Sequence, residues 1–212
     1  MSRYAQVAFT ENVRRVQRER GSAAAMERLL GGDGRRPDRI GEDEAEFVRA
    51  RDGFYLGTVG DAGWPYIQHR GGPPGFVHVV DAGTLAFADV RGNRQYITSG
   101  NIRGNDRVAL FFMDYAQQAR LKVLGHAETR DADDFTGLPD GAAEKITGLA
   151  TDGHREQLVI VRVVGLAWNC AKHITPRFTQ AELTDVWGQA ADRIAELESE
   201  NRRLRAALRA RG

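Results

Sequence analysis

The feature that most constrains this chain is a succession of short runs rich in β-branched and aromatic residues, each joined to the next by a connection of hairpin length. Phe54-Tyr55-Leu56-Gly57-Thr58-Val59 is followed by a turn over residues 60–63 and a second run over 64–69. Val77-His78-Val79-Val80, the Asp81-Ala82-Gly83 turn and Thr84-Leu85-Ala86-Phe87-Ala88 repeat the pattern, and residues 108–113 and 121–127 repeat it again around 114–118. Connections this short join antiparallel strands, because a parallel crossover needs a dozen residues or more. Residues 158–166, almost continuously Val, Ile and Leu, add another strand. The pattern predicts a mainly β chain with peripheral helices (α+β), built as an antiparallel barrel rather than a doubly wound parallel sheet.

The remainder reads as helices. Thr10 is placed to cap a helix carrying Val13 and Val16 on one face, and Ser22 to cap a second carrying Ala25, Met26, Leu29 and Leu30 before Gly31-Gly32 stops it. Ile40 before Glu42-Asp43-Glu44 predicts a third helix, whose acidic first turn favours the positive end of the dipole and whose apolar face holds Ala45, Phe47 and Val48. A short helix is expected over residues 93–102, beginning after Gly92, and a helical or loop excursion over 132–150.

Beyond residue 178 the periodicity changes. Leu183, Trp187, Ala190, Ile194, Leu197, Asn201, Leu204 and Leu208 recur in alternating steps of four and three, a heptad seam with Trp187, Ile194, Asn201 and Leu208 at position a. Asn201 is then the buried polar residue that sets register, and Arg193 and Glu200 at g face Glu198 and Arg205 at e of a parallel partner. Two readings stay open: a coiled coil between chains, or one amphipathic helix packed on its own barrel. The expected organisation is therefore an N-terminal helical segment over 1–52, a barrel domain over 53–178 and a C-terminal helix, read as a coiled coil, over 179–212.

Composition excludes several classes. Lys and Arg number 30 against 29 Asp and Glu, so the net charge of +1 gives no general reason for a nucleic-acid partner. No apolar run approaches the roughly 18–20 residues that span a bilayer, and the first ten residues lack the apolar core of a secretory signal. A cytoplasmic protein with no membrane partner is expected. One cysteine, Cys170, and scattered histidines make no metal-binding spacing, so no structural metal is expected.

Three clusters carry chemistry. Arg70-Gly71-Gly72-Pro73-Pro74-Gly75 ends a strand, where glycines admit a flat ligand close to the backbone; a tight turn is the competing reading. Arg91-Gly92-Asn93-Arg94-Gln95 precedes the helix expected at Tyr96, so backbone N–H groups, the helix dipole and Arg94 can converge on a phosphate; a solvated loop is the alternative. Arg120 and Lys122 alternate with Leu121 and Val123, so both cations share one strand face.

Taken together, the segment 64–76, Leu85-Ala86-Phe87-Ala88-Asp89, Gly92-Asn93-Arg94-Gln95-Tyr96-Ile97, Gly100-Asn101 and residues 105–115 resemble the pyridoxamine 5'-phosphate oxidase-related, FMN-binding split-barrel family. The likeness runs from about residue 54 to 128. It continues more weakly through Trp168-Asn169-Cys170 and His173-Ile174-Thr175-Pro176-Arg177-Phe178, which resembles the C-terminal signature of an uncharacterised branch rather than the vitamin B6 oxidase. The resemblance implies a six-stranded split barrel, a homodimer, FMN at the interface, and a flavin-dependent oxidoreductase exchanging hydride between N5 and a small organic substrate or nicotinamide. A flavin- or haem-binding carrier and a deazaflavin F420 reductase are the alternatives on the same fold. Carried over residue by residue, Asn93, Arg94 and Gln95 take the family's Ser-Arg-Lys phosphate step, Arg94 alone unchanged, with Tyr96 and Asn101 in the same motif. Arg120 stands where a glutamine contacts the ring, with Lys122 beside it, and Gln68, His69, Arg70 and Gly71 are placed at the cofactor by position only. His173 and Arg177 are the candidates for facing the flavin and a substrate anion. No acid–base residue is demanded, because the flavin performs the chemistry.

Overall fold

The computed structural model describes residues 2–30, 36–148, 153–168 and 171–209. They fall into two units, one made of residues 1–114 and 118–172, the other of 115–117 and 173–212.

The first unit holds one antiparallel sheet. Its strands are β1 (Gly53–Val59), β2 (Pro65–Gly71), β3 (His78–Asp81), β4 (Thr84–Val90), β5 (Arg107–Asp114), β6 (Ala119–Asp131) and β7 (Arg155–Trp168), in the spatial order β2-β1-β5-β6-β7-β4-β3. All three expected hairpins form: β1 with β2, β3 with β4 and β5 with β6. Among the described residues the count is seven rather than six and the sheet is not closed by backbone hydrogen bonds, because the short β3 pairs there with β4 alone and ends the sheet.

The sheet curls so that one face becomes the core. Phe54 and Leu56 of β1, Leu85 and Phe87 of β4, Leu110 and Phe112 of β5, Leu121 and Val123 of β6, and Val159 and Val161 of β7 are all buried in one cluster. The curl brings β1 against β4 although β5, β6 and β7 lie between them in the sheet: the Phe54 and Phe87 rings meet edge to face at 5.2 Å. Each such side chain contributes about 1.5–3 kcal/mol on burial. Alternate residues of β4 and β7 are buried on the outer face too, where Ala86, Leu158 and Ile160 pack against Ile146 of the helix Ala142–Gly148. Burial on both faces is why β7 reads as an almost unbroken apolar run.

The helices, in chain order, are α1 (Arg3–Ala8), α2 (Glu11–Glu19), α3 (Ala23–Glu27), α4 (Glu42–Arg49), α5 (Ile97–Gly104), α6 (Ala142–Gly148) and α7 (Gln180–Arg209). Thr10 caps α2 as expected, its side chain accepting from the Val13 N–H, but α2 buries none of its residues, Val13 and Val16 included. Ser22 precedes α3 without a side-chain capping bond, and the Gly31-Gly32 stop lies outside the described residues. In α4 the Glu44 carboxylate accepts from the Gly41 N–H, and Ala45 and Val48 are buried. Helix α1 has no counterpart in the sequence reading. It is held by Asp38, whose carboxylate accepts from the Arg3 and Tyr4 N–H groups, the Ser2 hydroxyl and the Leu166 N–H.

That clasp depends on a bulge in β7. Leu124 pairs with Gly165 and Gly125 with Val163, leaving Val164 as the extra residue, and the Val164 carbonyl accepts from the Asp38 N–H at 3.0 Å. Gly165 is required there, since a Cβ would lie 2.6 Å from the Tyr4 N and Cα atoms.

Helix α5 begins later than expected. Arg94 (φ 60°) and Tyr96 (φ 52°) both take the left-handed region, which interrupts helical backbone, so residues 92–96 form a loop and the helix starts at Ile97.

Candidate functional site

Antiparallel pairing sets Tyr66, Gln68 and Arg70 of β2 opposite Thr58, Leu56 and Phe54 of β1. Directly paired residues point to the same face, so these three polar side chains continue the inner surface of the curl toward β4. There Arg70 forms an ion pair with Asp89, both side chains largely buried at 19% and 14% exposure. This pair joins β2 at one end of the sheet to β4 near the other, where no backbone hydrogen bond does. Tyr66 donates to Gln68 on the same strand.

The cleft above this junction is lined by Tyr66, Gln68, Arg70, Asp89, the loop 92–96, the first turn of α5 and Glu156, and encloses about 180 Å³. The loop is held in place by Glu156. Its carboxylate accepts from Arg91 Nε at 2.6 Å and from the Tyr96 hydroxyl at 3.1 Å, and Arg94 Nε lies 3.4 Å from the Tyr96 hydroxyl. Asn93 folds the loop further, its side-chain oxygen accepting from the Gln95 N–H. At α5 no side chain caps the first turn and no acid lies in it, while Ser99 donates to Gln157. The cleft therefore presents the positive end of a helix beside two guanidinium groups.

Two carboxylates temper that charge. Burial raises the Asp89 carboxyl above its ordinary value, against the pull of Arg70, and Glu156 pushes in the same direction as burial. Glu156 is lowered, chiefly by its hydrogen bond to Arg91. Each carboxylate already has an arginine. Arg70 still keeps one donor unused, for its Nε is buried with no hydrogen-bond partner among the described residues.

Six residues singled out from sequence thus meet in one place: Gln68, Arg70, Asn93, Arg94, Gln95 and Tyr96. The others of the first unit lie outside this cleft. His69 alternates with Gln68 and Arg70, so it faces the opposite side of β2 and meets the Tyr55 ring at 5.6 Å. Gly71 closes the strand, and the Gly72 to Gly75 turn, with the Gly72 N–H donating to Asp52 and Gly75 at φ 89°, brings Phe76 into stacked contact with Phe54 at 5.9 Å. Asn101 donates to the buried Thr58 hydroxyl at 2.9 Å. Arg120 and Lys122 do share a face: Lys122 lies 5.0 Å over the Tyr4 ring, and Arg120 Nε is buried without a partner among the described residues. Asn169 and Cys170 lie outside the described residues. In the second unit His173 takes a left-handed backbone (φ 67°) and Arg177 stacks 4.8 Å over the Tyr115 ring. Asp89 and Glu156 were missed as site residues. Asp89 had a signal, an acid two residues beyond Phe87 on the inner face of β4, whereas Glu156 precedes the apolar run and carries none.

Several solved structures share parts of this architecture at low identity. HupZ from Group A Streptococcus is 16% identical, with 66% of this chain and 99% of that one covered at a TM-score of 0.47. A pyridoxamine 5'-phosphate oxidase-like protein of Lactobacillus delbrueckii is 22% identical over 61% and 94%, at 0.46. HutZ, the heme storage protein of Vibrio cholerae, is 18% identical over 61% and 94%, at 0.40. No curated protein matches the chain. The family model described as pyridoxamine 5'-phosphate oxidase matches residues 40–163, more than half of the sequence, and takes in β1 to β6, most of β7 and the cleft between them. The chain belongs to the pyridoxamine 5'-phosphate oxidase family.

Proposed function

We propose that the chain is an FMN-dependent oxidoreductase, acting as a homodimer on a small organic substrate or nicotinamide. The observation that carries this reading is the convergence of Gln68, Arg70, Asn93, Arg94, Gln95 and Tyr96 at an uncapped helix N-terminus. The residues fit the phosphate end of the cofactor: Arg94 and Arg70 line the cleft and supply charge-assisted donors, and the first N–H groups of α5 add the helix dipole. FMN, once bound, supplies hydride transfer at N5. The chain's own residues bind and orient. Glu156 keeps Tyr96 and Arg91 in position, Asn93 and Gln95 offer neutral hydrogen bonds, and Asp89 holds Arg70 against β4. A cleft of about 180 Å³ is smaller than the roughly 300–1,000 Å³ of small-molecule pockets, which supports a second chain walling the rest of the site.

The test is spectroscopic. Protein purified without added cofactor should carry flavin absorbance, or acquire it on titration with FMN. Arg94→Ala should weaken FMN binding by about 10–100-fold, the worth of one or two charge-assisted hydrogen bonds, and leave riboflavin binding unchanged because riboflavin has no phosphate. Reduction of bound flavin by NADH or NADPH distinguishes an enzyme from a carrier. Preference for haem or F420 over FMN in parallel titrations overturns the cofactor assignment.

A further inference from the structure

Helix α7 is a single continuous element of 30 residues, about 45 Å long at 1.5 Å per residue. Its start is built by a reciprocal cap. The Thr179 side chain accepts from the Glu182 N–H at 3.2 Å while the Glu182 carboxylate accepts from the Thr179 N–H at 2.7 Å. The heptad seam lies on this helix in solvent: Trp187, Ile194, Leu197 and Leu204 are 43–66% exposed, and Ala190 and Asn201 are exposed as well. The side chain of Leu208, the last seam position, lies outside the described residues. Four large apolar groups in one stripe are not the surface of a helix that stands alone in water.

We propose that α7 pairs with α7 of a second copy of this chain as a parallel, in-register, two-stranded coiled coil. Three features on the helix select that occupant. The seam has the 3.5-residue period that only a supercoiled partner follows over several turns. The flanking charges complement a copy of themselves: Arg193 at g meets Glu198 at e of the partner, and Glu200 meets Arg205 of the partner, each pair occurring twice by symmetry. Among the described residues Arg193 pairs with Glu196 at 2.9 Å and Glu198 with Arg202 at 3.9 Å, both on the exposed surface of the same helix, where such pairs are weak and readily exchanged. Asn201 sets the orientation. In a parallel pair it meets its own counterpart, donor to acceptor, whereas an antiparallel pair places it against an apolar d residue and leaves the buried amide unmatched. The pairing rests on residues 179–209 alone and is independent of the cofactor reading.

The experiment uses the full-length chain with Cys170→Ser and one new cysteine at a time: Trp187→Cys or Ile194→Cys at position a, which leave Asn201 in place, and Asp192→Cys or Ser199→Cys at the outward f position. Under mild oxidation each a-position variant should give a disulfide-linked dimer at least about tenfold faster than either f-position variant, because only facing a residues come within disulfide reach. Crosslinking at only one a position indicates an antiparallel crossing and overturns the proposal. Equal rates at a and f mean that the helices are merely tethered, and no crosslinking means that the seam is covered by something else; both overturn it too. Flavin content measured on the same variants is expected to be unchanged, which separates failure of the coil from failure of the site.

Discussion

Replacing Arg70 by methionine keeps the aliphatic stem but removes the cation that faces Asp89. The two side chains are 19% and 14% exposed, so the variant leaves a mostly buried carboxylate without its partner at the point where β2 and β4 meet. Breaking a buried pair in this way costs about 3–5 kcal/mol, mainly the penalty on the charge left behind. With a urea m-value of about 2 kcal/mol/M, the unfolding midpoint should fall by roughly 2 M. The pH dependence has a definite sign. Asp89 is already raised by burial, with Arg70 pulling it down, so removing Arg70 raises it further. A carboxyl raised in the folded state stabilises the protonated form, so its penalty is present above the folded pKa and is relieved as the pH falls through it. The deficit of Arg70→Met relative to the parent should therefore be largest at neutral pH and shrink on acidification. Arg70→Met combined with Asp89→Leu should recover most of the loss, since no charge is then stranded. A single variant within about 1 kcal/mol of the parent at pH 7, with no pH dependence, would refute the view that this pair joins the ends of the sheet.

Two further outcomes follow from the N-terminal clasp. Gly165→Ala drives a Cβ to 2.6 Å from the Tyr4 backbone, so α1 must move; a stability loss of about 1–3 kcal/mol with faster tryptic cleavage after Arg3 is expected, and unchanged proteolysis would show that α1 does not rest there. Burial alone would raise Asp38, but the N–H groups of Leu166, Arg3 and Tyr4 and the Ser2 hydroxyl together hold it below the ordinary 3.8. Its stabilisation is thus present above that value and lost as the pH falls through the lower folded pKa. The stability gap between the parent and Asp38→Asn, followed by denaturant unfolding, should be constant at neutral pH and close on strong acidification.

Much of the site could be read from residue order, and the reasons are local. Asn93, Arg94, Gln95 and Tyr96 are contiguous, so wherever that loop lies they lie together. Gln68 and Arg70 share a strand face by simple alternation, and the same rule applied to His69 would have turned it away from them. The start of α5 was misjudged because Arg94 and Tyr96 adopt left-handed backbone without a glycine to announce it. Helix α1 was invisible because its support is Asp38, more than thirty residues away, reaching a bulge in β7.

From its sequence alone this chain is committed to three hairpins and a long heptad helix, since turn length, strand alternation and the 3.5-residue repeat act between near neighbours. Tertiary structure alone decided that β2 curls round to β4, that Asp89 occupies Arg70, and that Glu156 braces the loop at Arg91 and Tyr96. Those contacts join residues 19 to 65 positions apart, and they exist only once the apolar faces of β1 and of β4 to β7 have closed on one core.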